Sequence, residues 1–230
     1  MDININPMKV SKVMLGIISM LAILHIGQIS LYLYIDDKDV FDWIRMLDFD
    51  YEGNLPTLYS SGALGFSALL LWVISHHQKQ TGQTSRHWLV LSFIFVFLAL
   101  DEGVVIHEKI GDFTEQFIDA SGFLYFAWVV PYGILMTAFV LSYLKFLFAL
   151  PRDISIQMVI AGGLFLTGAV GLEMFSGVEA DMHNTDTVKY TVLYTIEELL
   201  EMIAIVIFTN ALLKYMGREI GAINLTFQHR

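Results

Sequence analysis

Six apolar segments, each long enough to cross a lipid bilayer as a helix, divide this chain of 230 residues. A membrane-spanning helix needs about 20 apolar residues, so six of them leave no room for a large soluble domain. We predict an all-α polytopic membrane protein in which residues 1–230 form one bundle of six transmembrane helices joined by short loops. The predicted spans are approximately 13–34, 58–76, 88–108, 123–148, 157–176 and 191–213.

The composition agrees with a bilayer environment and limits the kinds of metal site and nucleophile that the protein can contain. Apolar residues make up 56% of the chain and charged residues 16%, which is far from the balance of a soluble domain. The chain has no cysteine, so disulfides, thiolate metal sites and a cysteine nucleophile are excluded. Any bound metal ion would need oxygen and imidazole ligands. The net charge of −10 argues against a nucleic-acid partner, and we expect the lipid bilayer and a small-molecule or cation ligand instead.

Basic residues orient the predicted bundle. If the spans alternate from a cytoplasmic amino terminus, nine of the 13 Lys and Arg residues fall on the cytoplasmic side. Cytoplasmic loops of membrane proteins carry an excess of Lys and Arg, so we predict that both termini are cytoplasmic. The nine residues are Lys9, Lys12, Lys79, Arg86, Lys145, Arg152, Lys214, Arg218 and Arg230.

Seven acidic residues lie inside the predicted spans or at their edges, and this orientation places all of them in the outer half of the membrane. They belong to the third, fifth and sixth spans. A charged side chain at mid-membrane costs about 2.5–3.5 kcal/mol on insertion scales, so these carboxylates should face one another or water rather than lipid. The seven are Asp101, Glu102, Glu108, Glu173, Glu197, Glu198 and Glu201.

Helical phase groups these carboxylates further. At about 100° per residue, Asp101 and Glu108 lie within about 20° of each other, and the three glutamates of the sixth span cover an arc of about 100°. Carboxylates that share a layer of low dielectric without basic neighbours cannot all be ionised unless a cation binds there. With the neighbouring histidine included, the predicted cation site comprises Asp101, Glu102, His107, Glu108, Glu173, Glu197, Glu198 and Glu201.

Carboxylates and an imidazole inside a helical bundle favour a divalent metal, iron or manganese before zinc, calcium or magnesium. Zinc is less favoured because its sites usually contain several histidines. The Glu-x-x-His pairs typical of carboxylate-bridged metal pairs are missing from the third and sixth spans. Three functions stay open: an intramembrane metalloenzyme acting on a lipid-like or quinone-like substrate, a proton- or cation-coupled carrier or channel, and a non-catalytic subunit or assembly factor. The pattern assigns neither catalytic residues nor an oligomeric state.

Three further features flank the acidic residues. Residues 48–61, in the first outer loop, alternate acidic side chains but lack the glycine and closing glutamate of an EF-hand calcium loop. We interpret this stretch as an ordered turn in which Asn54 and Pro56 shape the start of the second span, and as a lid over the site. We expect His25 to be a hydrogen-bonded packing residue. His183, in the third outer loop, is a candidate to cap the site from above.

Several short motifs together resemble those of a widespread group of uncharacterised bacterial multi-pass membrane proteins. The motifs are EGNLPTLYSS, LALDEGVVIHEKIG, VVPYGIL, ALPRDI, GLEMFSG and TIEELLEM, and they extend from about residue 48 to residue 214. The resemblance implies an integral protein of the bacterial inner membrane whose activity is unknown. It supplies no catalytic residue, so the predicted cation site depends on the physical argument alone.

Overall fold

The computed structural model describes residues 2–3, 5–32, 45–220 and 223–224, and most of these residues are helical. The predicted all-α fold is therefore confirmed. Two 3-10 turns, Arg45–Leu47 and Gly122–Leu124, lie in connecting segments. The seven helices of the described part are α1 (Pro7–Tyr32), α2 (Leu55–Gln80), α3 (Arg86–Val104), α4 (Ile106–Thr114), α5 (Val129–Ala149), α6 (Arg152–His183) and α7 (Val188–Glu219).

The two ends of the described chain meet in a short antiparallel pairing. β1 (Asp2–Ile3) pairs with β2 (Ile223–Asn224). The two described ends therefore lie on the same side of the bundle.

Five of the described helices are long and apolar enough to cross a membrane, namely α1, α2, α3, α5 and α6. By length and composition, these apolar helices are compatible with a membrane protein. The sixth predicted span lies within α7, which is not one of the five. Instead, α7 is the central helix: it contacts α1, α2 and α6, and its second half is largely buried in the protein.

Two hydrophobic clusters hold the other helices against α7. In the first cluster, Trp88 and Ile154 pack near Leu212, so α3 and α6 both contact the second half of α7. In the second cluster, Met14 of α1 packs near Met202 of α7. Burying a large apolar side chain contributes about 1.5–3 kcal/mol, so these clusters fix the positions of the helices that carry the acidic residues.

The predicted turn before the second span is confirmed. Asn54 is the N-cap of α2, and its side-chain oxygen accepts a hydrogen bond from the Thr57 N–H at 3.2 Å. Pro56 occupies the first turn of the helix, where its missing N–H is not needed. The Asn54 amide nitrogen also donates to the backbone oxygen of Asp48 at 2.5 Å. One side chain thus starts α2 and holds the preceding loop. Residues 33–44 of that loop lie outside the described residues.

The predicted end of the third span was wrong. We predicted a continuous helix to residue 108, whereas the helix breaks before this residue in the structure. Helix α3 ends at Val104, and Val105 adopts a left-handed conformation with φ 60° and ψ 48°. A left-handed β-branched residue cannot continue an α-helix. His107 and Glu108 therefore belong to the separate short helix α4, and the phase relation between Asp101 and Glu108 does not apply.

Helix α6 extends beyond the predicted 157–176 and contains a π-helical segment, Thr167–Leu172, immediately before Glu173. A π-segment changes the rotation of the residues that follow it, and such segments are frequent at functional sites. Helix α5 starts later than predicted, at Val129 rather than near 123, so Pro131 falls in its first turn. A kink in α5 is therefore not required at Pro131.

Candidate functional site

A cavity of about 1440 Å³ lies among helices α3 to α7, and all eight predicted site residues line it. The acidic side chains come from α3, α4, α6 and α7, while apolar side chains such as Phe95, Phe139 and Phe208 line other parts of the wall. The structure thus brings the predicted residues together in one place. They are Asp101, Glu102, His107, Glu108, Glu173, Glu197, Glu198 and Glu201.

Five of these residues form a glutamate group, comprising Glu102, Glu173, Glu197, Glu198 and Glu201. Glu201 lies within electrostatic range of Glu102 and Glu173, which belong to two other helices. Glu198 faces the same two residues and Glu201. The group therefore joins α3, α6 and α7, as predicted from the shared depth of the carboxylates.

The approach of α6 to the glutamate-bearing face of α7 depends on Gly168. A methyl group added at Gly168 would lie 3.0 Å from the backbone oxygen of Glu197 and 3.0 Å from Cγ of Glu201. These distances are shorter than ordinary van der Waals contact, so a side chain there would push the helices apart. Gly168 also belongs to the π-helical segment. Close packing at this position brings Glu173 of α6 beside the glutamates of α7.

His107 forms a second cluster with two carboxylates. Its Nε2 lies 3.1 Å from Oε1 of Glu52, and its Nδ1 lies 3.4 Å from Oδ1 of Asp101. The His107 backbone N–H also donates to Oδ1 of Asp101 at 2.7 Å, a contact that the break at Val105 makes possible. The Asp101 side chain thus accepts a hydrogen bond from the first turn of α4.

The charge of His107 follows from this arrangement. Burial alone would lower the pKa of the imidazole, but the hydrogen bonds and charges of Asp101 and Glu52 outweigh it and raise the pKa to about 10. His107 is then an imidazolium near neutral pH, with both ring nitrogens facing carboxylates. In this arrangement the ring offers no free lone pair to a metal, although the sequence pattern placed His107 among the ligands.

Trp128 connects the two clusters. Its indole Nε1 donates to Oε1 of Glu173 at 3.2 Å, and its ring meets the His107 ring edge-on with centroids 5.3 Å apart. One aromatic side chain therefore contacts both the His107 cluster and the glutamate group. The sequence analysis did not single out Trp128, because a tryptophan at a helix start is usual in membrane proteins.

The first outer loop contributes two further acidic side chains to the cavity wall, Asp50 and Glu52. Asp50 accepts a hydrogen bond from the Tyr190 hydroxyl at 3.0 Å. Burial, with smaller contributions from the charges of Asp48 and Glu173, raises the pKa of Asp50 to about 6 against the lowering effect of that hydrogen bond. The prediction that this loop lies beside the site is consistent with these contacts, but neither residue was included among the site residues. Their alternation with Asp48 in the sequence was the available signal.

Glu108 lies at the edge of the cavity and is exposed. Partial burial raises the pKa of Glu108, and the nearby charge of Glu52 raises it further. Asp112 of α4 and Glu115, which immediately follows α4, also line the cavity, although neither was among the predicted site residues. The acidic surface thus continues from the glutamate group to the rim along α4.

The predictions for two other histidines, His25 and His183, have different outcomes. His25 is 0% exposed: its Nδ1 accepts the Phe49 N–H at 3.3 Å, so the neutral ring donates from Nε2 to the Thr195 hydroxyl at 3.0 Å. The prediction of a hydrogen-bonded packing residue is confirmed. His183 contacts Glu179 at 3.5 Å and is not part of the cavity wall as described, so it does not cap the site.

The charge balance of the cavity is strongly one-sided. Eleven Asp and Glu residues line it, whereas His107 is the single basic residue among its described lining residues. The side chain of Glu197 is 7% exposed, and its Oε2 has no hydrogen-bond partner. In the described part of the chain, no three His, Asp or Glu side chains are arranged to hold one metal ion. The arrangement is suited to binding cations or protons and unsuited to binding anions.

Comparison with known proteins yields one match. No curated protein and no solved structure matches the chain. A family model described as a domain of unknown function, DUF8692, matches residues 14–215 and so includes every residue of the glutamate group and of the His107 cluster. The chain therefore belongs to the DUF8692 family.

Proposed function

We propose that this protein binds a divalent metal ion, iron or manganese, at the glutamate group and acts as an intramembrane metalloenzyme. The observation that carries the proposal is the lining of one cavity by eleven acidic side chains against a single imidazole. Buried carboxylates without counter-charges are expensive, and a bound cation removes that cost. Oε2 of Glu197 is one such carboxylate oxygen, because it is buried and has no hydrogen-bond partner among the described residues.

The ligands in this proposal are Glu102, Glu173, Glu198 and Glu201, with Glu197 beside them. Glutamates from three helices suit a carboxylate-bridged site, in which each side chain binds one or two ions. His107 has another role here, as the imidazolium that neutralises part of the charge of Asp101 and Glu52. Small side-chain rotations are required, because the described residues do not already converge on one point.

Elemental analysis of the detergent-purified protein tests the proposal. We expect about one or two iron or manganese ions per chain, lost in a Glu198→Gln, Glu201→Gln double variant. Glu219→Gln is a matched control, because it removes an exposed carboxylate from the same helix outside the cavity. Metal retained by the double variant, or lost equally in the control, would show that the glutamate group is not the site.

A proton- or cation-coupled carrier is the second candidate. It is favoured by one specific observation, the lack of three converging ligand side chains in the described residues. Carboxylates that exchange protons or monovalent cations need no fixed coordination geometry. Protein without stoichiometric metal, whose reconstituted cation flux is lost in Glu198→Gln, would favour this candidate over the enzyme.

We also propose that the protein lies in the bacterial inner membrane with both termini in the cytoplasm, and that α7 is the sixth crossing. The distribution of Lys and Arg supports this orientation. Since the chain has no native cysteine, single cysteines can report accessibility directly. Gln83→Cys and His183→Cys should be labelled from opposite sides of the membrane; labelling from the same side would refute the topology.

A further inference from the structure

The part of the cavity wall away from the carboxylates is apolar and reaches the lipid-facing surface beside α5. Leu135 of α5 and Val159 of α6 line the cavity yet are 67% and 55% exposed. Few side-chain atoms cover the cavity beside them, because Gly162 and Gly163 of α6 have no side chain. Both glycines are exposed, and an added methyl group at either would meet nothing within 4 Å. The cavity therefore has a lateral opening between α5 and α6.

Helix α5 contacts its neighbours mainly near its two ends, which leaves its middle along the cavity. Near its start, the Tyr132 ring packs against Phe97 of α3, with ring centroids 6.3 Å apart. Near its end, the Tyr143 hydroxyl donates to the His87 backbone oxygen at 3.0 Å. Of the apolar stretch of α5 that is long enough to cross a membrane, about 6% is buried inside the protein. The opening is thus bounded by a helix that few contacts hold in place.

The charge of the lining decides which molecules suit this cavity. Its volume of about 1440 Å³ exceeds that of a typical small-molecule pocket, which measures about 300–1,000 Å³, so the cavity has room for a long ligand. No Lys or Arg is among its described lining residues, and both ring nitrogens of His107 already face carboxylates, so a phosphate or carboxylate head would find no free basic partner there. Acidic repulsion therefore disfavours anionic phospholipids and fatty acids.

We propose that the cavity takes an uncharged amphiphile, whose long hydrocarbon chain enters between α5 and α6 and whose hydroxyl or carbonyl head lies at the glutamate group. This inference rests on the proposed metal at that group, because a bound divalent ion neutralises part of the negative charge that would otherwise favour a cationic head. Oε2 of Glu197 is buried without a hydrogen-bond partner, so a rotation of this side chain toward the cavity would let it accept a hydrogen bond from a hydroxyl head. The substrate class is therefore a long-chain alcohol, ketone or quinone-like molecule.

Quenching of Trp128 fluorescence tests the proposal, because this residue lines the cavity beside the glutamate group. The probe is a long-chain alcohol with a nitroxide near its head, compared with the carboxylic acid and the primary amine of the same chain. The difference between the protein and Trp128→Phe isolates the signal of this tryptophan. We expect saturable quenching by the alcohol, with binding about tenfold weaker for the acid and the amine.

Two glycine variants supply the structural control. Gly163→Phe places a ring in the opening, and we expect it to abolish saturable quenching by the alcohol. Gly133→Phe on α5 also meets no atom within 4 Å at its Cβ but is not part of the cavity wall as described, so it should bind the alcohol normally. Equal binding of the acid or amine, or unchanged quenching in Gly163→Phe, would overturn the proposal.

Metal content measured on the same samples separates this inference from the proposed function. Stoichiometric metal without saturable alcohol binding overturns the substrate class and leaves the metal site intact. Saturable alcohol binding to metal-free protein overturns the metal site. Both variants, Gly163→Phe and Gly133→Phe, should retain metal, because neither residue contacts the glutamate group.

Discussion

Gly168 offers the sharpest test of how the glutamate group is assembled. In the Gly168→Ala variant, the new methyl group would lie 3.0 Å from the Glu197 backbone oxygen and 3.0 Å from Cγ of Glu201. Ordinary contact between such atoms needs about 3.5–4.0 Å, so α6 and α7 must separate by roughly 0.5–1 Å or Glu201 must change rotamer. The variant therefore perturbs the site without removing any carboxylate.

The expected magnitude combines two opposing effects. Overpacking a tightly packed contact costs about 1–3 kcal/mol, whereas replacing glycine by alanine within a helix returns up to about 1 kcal/mol. We therefore expect Gly168→Ala to lower the free energy of unfolding by about 1–2 kcal/mol. For a chain of this length, that corresponds to a decrease of roughly 2–8 °C in the unfolding midpoint.

Gly171→Ala is the matched control because Gly171 belongs to the same π-helical segment. Its added methyl group would lie 3.8 Å from the Leu166 backbone oxygen and 3.9 Å from Cγ2 of Thr167, which are ordinary contacts. Thermal unfolding of both variants in detergent, with metal content measured alongside, gives the comparison. Equal unfolding midpoints for the two variants would refute the argument that close approach at Gly168 builds the site.

Three further predictions concern the elements around the site. The pKa of His107 is raised from 6.5 to about 10, so its ion pairs should stabilise the fold fully below pH 6.5 and lose that effect as the pH rises through 10. The His107→Gln variant should not show this decline in thermal stability at high pH. The same pH profile in the variant and the unchanged protein would contradict the ion pairs. Val105→Gly should relieve the left-handed conformation and raise the free energy of unfolding by up to about 1 kcal/mol; a loss would show that Val105 is not strained. Asn54→Ala should cost about 1–2 kcal/mol in thermal unfolding, whereas Asn54→Asp should keep the cap and lose only the contact to the loop; equal losses would contradict the capping role.

Much of the fold follows from local rules that act on the sequence. The spans are visible because a bilayer requires long apolar helices, and the N-cap at Asn54 is visible because its side chain and Pro56 suit the start of a helix. The position of each helix end is less predictable. Val105 illustrates this, since a β-branched residue gives no sign of a left-handed turn, and the tertiary contacts of α4 impose it.

The meeting of carboxylates was predictable for a physical reason. Charges in an apolar segment must face one another or water, so Glu102, Glu173 and Glu201 had to share an interior site. The partners of each carboxylate were not predictable. That Trp128 donates to Glu173, and that Glu52 contacts His107, depends on loops whose course is set by packing rather than by local pattern.

The sequence by itself determined that this protein is an apolar helical bundle with carboxylates in one layer, because the energetics of a bilayer act on every residue of a span. Only the tertiary structure decided what that layer contains. The break at Val105 assigned His107 to an ion cluster, and Gly168 brought α6 against the glutamates of α7. The tertiary structure also placed the glutamate group in a cavity whose wall along α5 is largely apolar. Such features depend on contacts between distant segments, and no local periodicity encodes them.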